Sequence, residues 1–405
     1  MPTAVVNARG RARIAEGHPW VFRQDVVSGP ERDARDGGPA LVRVTDGQRR
    51  PLALATWAAE ARIALRVLER GAGAAEGSAD LLSLMEARLA AARARRGGIA
   101  RERDAYRVVH GESDGLPGLF VDVYGEAAVL QTTSVAMDSV RAEIARLVQE
   151  RLGTRVVIER DDGSARDFEG LPRRKGVLCG EGPSEVVYRL GENELFADLM
   201  TDSKTGGFLD QADNHAAVAA LAGRGARCLD AFTYHGGFAL ALARRGGAVL
   251  ATDEDPQAVA RATENARRND LRNLEVQQAN AFDLLRRLES EQQRFEVVVL
   301  DPPAFAKRRG EGGASRQERA GQADRAYKEI ILRGLRLAAP AGLVVACSCS
   351  GAITRAHFDE IIASAAADSG RLVQVLARNG AGRDHPEHAL VPETAHLKCW
   401  ILRAL

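Results

Sequence analysis

Val298-Val299-Leu300-Asp301-Pro302-Pro303-Ala304-Phe305 is the stretch that decides the fold. Apolar residues dominate from Phe295 to Leu300, then give way to a carboxylate and two prolines. An apolar run of that length, closed by a breaker, predicts a strand buried on both faces. Proline cannot donate to a sheet ladder, so the strand ends there. Asp301 is therefore expected at the carboxyl end of a central parallel strand, where open α/β sheets bind ligands. The plainer alternative is a strand and a turn in which Asp301 only caps the chain.

Outward from this stretch, strands and helices alternate from about residue 204 onward. Strands are predicted at 227–229, 249–252, 274–277, 295–300, 343–347, 372–376 and 397–402. That alternation predicts an α/β fold with a doubly wound, mostly parallel sheet. Residues 230–238 join the first strand to its helix and carry Gly236 and Gly237. Glycine lets backbone pass close to a ligand, and a helix N-terminus favours an anion. The dinucleotide fingerprint is absent, so a carboxylate-bearing ligand suits this loop better than a pyrophosphate. The second strand ends at Asp253, an acid placed to accept from a ribose diol. Asp255 and Pro256 supply the following helix cap, which leaves Asp253 available. After the third strand stands Asn280, whose side-chain oxygen is offered to an adenine amino group. Asp230, Asp253, Asn280 and Asp301 thus put one polar residue at the end of each of four successive strands, a pattern that suits an adenosine-type cofactor. The fifth strand ends in Cys347-Ser348-Cys349-Ser350-Gly351. Cys349 is the candidate nucleophile beside Asp301; two small buried thiols are the bland alternative. No second Cys or His pair stands at zinc spacing, so no metal is expected.

The whole chain, 405 residues with a formal net charge of +1, predicts two or three domains and no general attraction to nucleic acid. RNA contacts would then come from local clusters: Arg93, Arg95, Arg96, Arg101 and Arg103; Arg173, Arg174 and Lys175; Lys307, Arg308 and Arg309. The five cysteines are odd in number and widely spaced, which argues against a disulfide framework. No apolar run approaches membrane-spanning length and no signal-peptide pattern opens the chain, so a cytoplasmic setting is expected. Residues 1–72 read as short strands and turns, with Arg11, Arg13 and His18-Pro19-Trp20-Val21-Phe22 pairing basic and aromatic groups. On residue type alone, Trp20 and Phe22 read as core. Residues 71–77 form a Gly/Ala-rich joint, and 73–195 read as an α+β unit opened by a helix that Asp80 caps.

Residues 301–305, 347–351 and 230–238 resemble class I S-adenosylmethionine-dependent methyltransferases. More narrowly, the chain resembles the bacterial 23S ribosomal RNA cytosine-C5 methyltransferases with an N-terminal PUA domain, of the large-subunit methyltransferase I type. His18-Pro19-Trp20-Val21-Phe22, residues 112–118 and residues 204–211 carry the likeness over nearly the whole length. The resemblance implies a PUA domain (1–72), a central α+β domain (73–195) and a Rossmann-like methyltransferase domain with a seven-stranded sheet (196–405). It implies S-adenosylmethionine as cofactor, 23S ribosomal RNA as partner, and a homodimer. Carried over, Cys349 and Asp301 are catalytic. Phe208, Asp210, Gln211, Asp230, Phe232, Tyr234, Gly236, Asp253, Asn280, Asp301 and Pro302 hold the cofactor. The sequence departs from the family where Asn280 replaces an aspartate, Ala212 an arginine, Cys347 an aromatic or aliphatic residue and Ala304 a lysine. The implied reaction adds the Cys349 thiolate to cytosine C6, with Cys347 or a water removing the C5 proton. The competing readings keep the fold and change what it does, to methylation of another RNA base or a small molecule, or to non-catalytic RNA binding in ribosome assembly. A loop over 307–319, rich in Gly and Arg, is read as a mobile cover for RNA.

Overall fold

The computed structural model describes residues 1–71, 73, 80–305 and 316–405. Most of the predicted joint at 71–77, the cluster Lys307, Arg308 and Arg309, and the loop read over 307–319 as far as residue 315 lie outside them; from Arg316 the chain is helical. The chain divides into two units: Met1–Tyr188 with Ala197–Gly207 and Asp384–Thr394, and Arg189–Phe196 with Phe208–Arg383 and Ala395–Leu405.

The first unit carries two sheets. Six short strands between Thr3 and Arg70 form one, antiparallel except where Thr3–Val6 runs alongside Leu41–Asp46. Strands and turns alone were expected here, but Ala8–Glu16 is a helix. Its brackets are local: the Asn7 side chain accepts from the Gly10 N–H at 2.9 Å, and Gly17 closes it at φ 92°. Val21 points inward while Trp20 and Phe22 stay half-buried, so these two aromatics are not core. Arg13 and Arg62 lie over the Phe22 ring at 4.7 and 5.9 Å. The second sheet has five strands, with Leu81–Arg95 and Arg141–Leu152 contributing to its apolar core. As expected, Asp80 caps the first of these helices. Several arginines of the predicted clusters are engaged in this unit: Arg96 with Asp114, Arg103 with Asp384, Arg173 with Asp167, and Arg174 with Asp138. Arg96 and Arg103 are buried, which removes them from any RNA-facing surface.

The second unit holds a seven-stranded sheet. Its strands are β1 (Cys228–Asp230), β2 (Val249–Asp253), β3 (Leu274–Gln278), β4 (Phe295–Leu300), β5 (Ala338–Ser348), β6 (Val373–Asn379) and β7 (Lys398–Ala404), in the spatial order β3-β2-β1-β4-β5-β7-β6. The first five run parallel; β7 runs antiparallel between β5 and β6. The helices are α1 (Ala212–Leu221), α2 (Gly237–Ala243), α3 (Pro256–Arg268), α4 (Ala281–Ser290), α5 (Arg316–Leu337) and α6 (Arg355–Ser369). Val297 to Leu300 are buried to within 1% because β1 and β5 flank β4 and helices cover it. Two consequences position the site. The carboxyl ends of β1 to β5 share one rim. Because β7 is reversed, its first residues, His396 to Lys398, arrive at that same rim, with Lys398 opposite Ser348.

Candidate active site

Asp301 emerges at the end of β4, half-buried, and Pro302 behind it is buried. The Gln211 side chain donates to Asp301 Oδ2 at 2.9 Å. Gln211 is itself fixed: the Asn214 amide donates to its oxygen at 2.7 Å, and Asn379 donates to Asn214 at 3.1 Å. A chain of neutral amides therefore aims the Asp301 carboxylate.

The loop after β1 is held by two other acids. Asp230 is 1% exposed; Thr233 donates to its Oδ2 at 2.8 Å, while Oδ1 has no hydrogen-bond partner. Burial, with Asp301 and Asp253 nearby, pushes its carboxyl up to about 7. Asp253, at the end of β2, accepts from the Tyr234 N–H at 2.9 Å and the Asp255 N–H at 3.1 Å. Tyr234 sits at φ 48°, a left-handed conformation that costs a non-glycine residue about 1–3 kcal/mol. The Asp253 carboxylate thus holds a strained turn open. Gly236 follows at φ 91°, and a Cβ on Gly237 would stand 2.3 Å from the His215 ring. The Tyr234 ring stacks on His235 at 3.7 Å and meets the edge of Phe208 at 4.7 Å. Phe232, by contrast, packs against the core below.

Asn280 is exposed, and its oxygen caps α4, accepting from Phe282 at 3.0 Å and Asp283 at 3.4 Å, while its amide donates to Glu254. The oxygen read as an adenine acceptor is already engaged in this structural role. Asp210 is buried and paired with His396 at 3.1 Å.

The two thiols two residues apart differ sharply. Cys347 is 1% exposed and faces Cys399 across the β5–β7 ladder. Burial and that second thiol push it well above the ordinary cysteine range. Cys349 is half-buried on the turn past β5. The Tyr327 phenol on α5 is pushed up by burial and by Cys349 and Asp301, so it lies near both. Sequence reading missed Tyr327, His396 and Lys398. The last is buried at the start of β7 and donates to the carbonyls of Ser350 at 2.7 Å and Ile353 at 2.9 Å. A lysine inside an apolar terminal strand was the signal available.

Residues 5–70 match a PUA-like domain, and residues 222–382 match a methyltransferase domain. Ribosomal RNA large subunit methyltransferase I of Aeromonas hydrophila is 33% identical, with 100% of both chains covered. The protein of the same name from Erwinia tasmaniensis is also 33% identical over 100% of both chains. A solved methyltransferase structure, complexed with SAH, superposes with a TM-score of 0.81 at 16% identity, again over 100% of both chains.

Proposed function

The chain belongs to the ribosomal RNA large subunit methyltransferase I family, and from that premise we propose that it makes 5-methylcytosine in 23S ribosomal RNA through a covalent bond between Cys349 and C6 of the base. It is an S-adenosylmethionine-dependent methyltransferase. The residues present fit that donor. Asp230 keeps a buried carboxylate oxygen without a partner, suited to an ammonium group. Each Asp253 oxygen takes one backbone N–H and retains a lone pair for a ribose hydroxyl. Tyr234 and Gly236 lie on the loop after β1, and the Phe208 ring meets Tyr234; Asp210, Gln211, Phe232, Asn280, Asp301 and Pro302 complete the set that the family resemblance assigns to the donor. The bound donor supplies an electrophilic sulfonium methyl group.

Cytosine C5 is a weak nucleophile on its own. The Cys349 thiolate adds its electron pair to C6, and the C5–C6 π pair becomes an enamine that takes the methyl at C5. N3 takes a proton from water as the adduct forms and gives it back when the C6–S bond breaks; Asp301, aimed by Gln211, holds the N3 and amino edge and stabilises the protonated adduct. The C5 proton then leaves to water, the C6–S bond breaks and the thiolate returns. Cys347 does not serve as that base, since its buried thiol resists ionisation. The target base leaves its stack to reach the rim. In a chain of three modules (1–72, 73–195 and 196–405), the first holds RNA backbone through Arg13, Arg62 and Phe22.

The observation that supports this reading best is the contrast of the two thiols: Cys349 is half-buried on the turn past β5, with the Tyr327 phenol close to both it and Asp301, while Cys347 is sealed within the strand. Cys349→Ala is expected to abolish methylation of 23S ribosomal RNA while binding S-adenosylmethionine in titration calorimetry with unchanged affinity. Normal turnover by that variant refutes the nucleophile. Bisulfite mapping of ribosomal RNA with and without the gene tests the base: an identical pattern of protected cytosines in both strains refutes the acceptor.

A further inference from the structure

Lys398 is 1% exposed, and three acceptors surround its ammonium: the carbonyls of Ser350 at 2.7 Å, Ile353 at 2.9 Å and His396 at 2.8 Å. An ammonium has three N–H donors and a neutral amine only two, so this cradle is matched to the charged form. The first two carbonyls belong to the turn that carries Cys349 out of β5. The third belongs to the entry of β7, where His396 reaches back to Asp210. Among the described residues Lys398 has no carboxylate partner, although buried cations are ordinarily paired. In the first unit, Arg166 shows the ordinary arrangement, with two aspartates on a single guanidinium. A buried cation with neutral oxygens around it and no carboxylate leaves its charge uncompensated, facing whatever anion forms beside it.

Resting on the assignment of Cys349 as nucleophile, we propose that Lys398 is its positioning residue: the ammonium fixes the turn from Ser350 to Ile353, holds the sulfur on the rim near Asp301, and stabilises the Cys349 thiolate. Lys398 keeps all three protons throughout; the thiol proton goes to water and the sulfur electron pair goes to C6. Among the described residues, Tyr327 from α5 lies close to both the Cys349 sulfur and Asp301 of β4, and Arg355 from α6 acts on Lys398. A carboxylate close to the sulfur would oppose a thiolate, and a cation at this turn favours one. Burial lowers Lys398 to about 8, with Cys349 acting in the opposite direction, so cation and sulfur are electrostatically linked.

The test is the pH dependence of iodoacetamide alkylation of the full-length protein, read on the Cys349 peptide by mass spectrometry. Wild type is expected to alkylate with a midpoint below the ordinary thiol value of about 8.5. Lys398→Met should raise the midpoint by about one unit, slowing alkylation at pH 7 about tenfold, with S-adenosylmethionine affinity unchanged. Lys398→Arg keeps the charge, but its planar fork does not match three converging carbonyls. It should keep the midpoint within about half a unit while kcat falls at least about tenfold at unchanged KM. A wild-type midpoint at or above about 8.5 overturns the proposal without any variant. So does a folded Lys398→Met protein with the wild-type midpoint. Alkylation needs no RNA, so failure of the cytosine reading shows in the Cys349→Ala assay and failure of this one shows here.

Discussion

Two regions of this molecule gather buried and half-buried acids and hold them in opposite ways. In the five-stranded sheet of the first unit, guanidinium groups meet them. Arg166 is hydrogen-bonded to both Asp138 and Asp161 at 2.7 Å, and Arg96 grips Asp114. Burial would raise Asp114 and Asp138, yet the arginines more than offset it and both lie below the usual carboxylate range. On the rim of the seven-stranded sheet, neutral donors hold the acids: Thr233 on Asp230, backbone N–H groups on Asp253, and the Gln211 amide on Asp301. Asp230 is pushed the other way, up to about 7. An acid closed by an arginine is held for structure, although Asp161, which shares Arg166, is still pushed up by burial. An acid held by amides and hydroxyls is aimed by neutral groups.

The sharpest way to break this comparison is to remove one group from each side. Arg166→Met takes the shared guanidinium from two buried carboxylates, leaving Arg174 on Asp138 and Thr132 on Asp161, and should cost roughly 3–5 kcal/mol in chemical denaturation, with S-adenosylmethionine affinity within about twofold of wild type. Asp253→Ala should do the reverse, weakening S-adenosylmethionine at least about tenfold in calorimetry while stability falls by less than about 2 kcal/mol. Equal losses of stability from the two variants, with binding intact in both, would erase the distinction.

The pH dependence of Asp230 sharpens it further. Its folded-state carboxyl titrates at about 7, against an ordinary value of 3.8. Between those values the native state keeps a proton that the unfolded chain has released. The contribution of Asp230 to stability therefore falls as pH rises from about 4 to about 7. A cationic ligand prefers the ionised form, so S-adenosylmethionine affinity should weaken as pH drops below about 7, approaching tenfold per unit. Asp230→Asn should flatten that profile. A profile unchanged by the substitution would assign the titration to another group.

This contrast also explains which parts were legible beforehand. All seven strands of the methyltransferase sheet are predicted in place, although β5 begins five residues earlier than expected, at Ala338; the central ones are legible as apolar runs closed by an acid or a cysteine, whereas β3 (LEVQQ) is mostly polar. The rim acids were legible because parallel strands all end on the same side of the sheet, so the residue after each apolar run falls on one rim whatever the strand order. Lys398 and His396 escaped because β7 enters in reverse, and only its antiparallel pairing with β5 brings its first residues beside Cys349. The amide chain from Asn379 through Asn214 and Gln211 to Asp301 links residues far apart in sequence, and no local pattern encodes it. The helix Ala8–Glu16 was missed although Asn7 and Gly17 bracket it, because the strands around it dominated the reading.

Asn280 is where the two kinds of polar residue meet, and it gives the smallest and most discriminating effect. Its oxygen caps α4, and its amide reaches Glu254. A pure cap predicts that Asn280→Ala costs about 1 kcal/mol of stability and leaves cofactor affinity within about twofold. A residue that also meets adenine predicts a further loss of about threefold to tenfold in affinity, about 0.7 to 1.4 kcal/mol. Asn280→Asp separates the two. It keeps the capping oxygen and favours the helix N-terminus, so the fold should hold or gain slightly. It also replaces the amide donor with an acceptor beside Glu254, adding like-charge repulsion there. If affinity for S-adenosylmethionine rises in the aspartate variant and falls in the alanine variant, the side chain accepts from the adenine, and Asn280 belongs with the aimed acids of the rim. If stability alone moves, it belongs with the residues that only hold the sheet together.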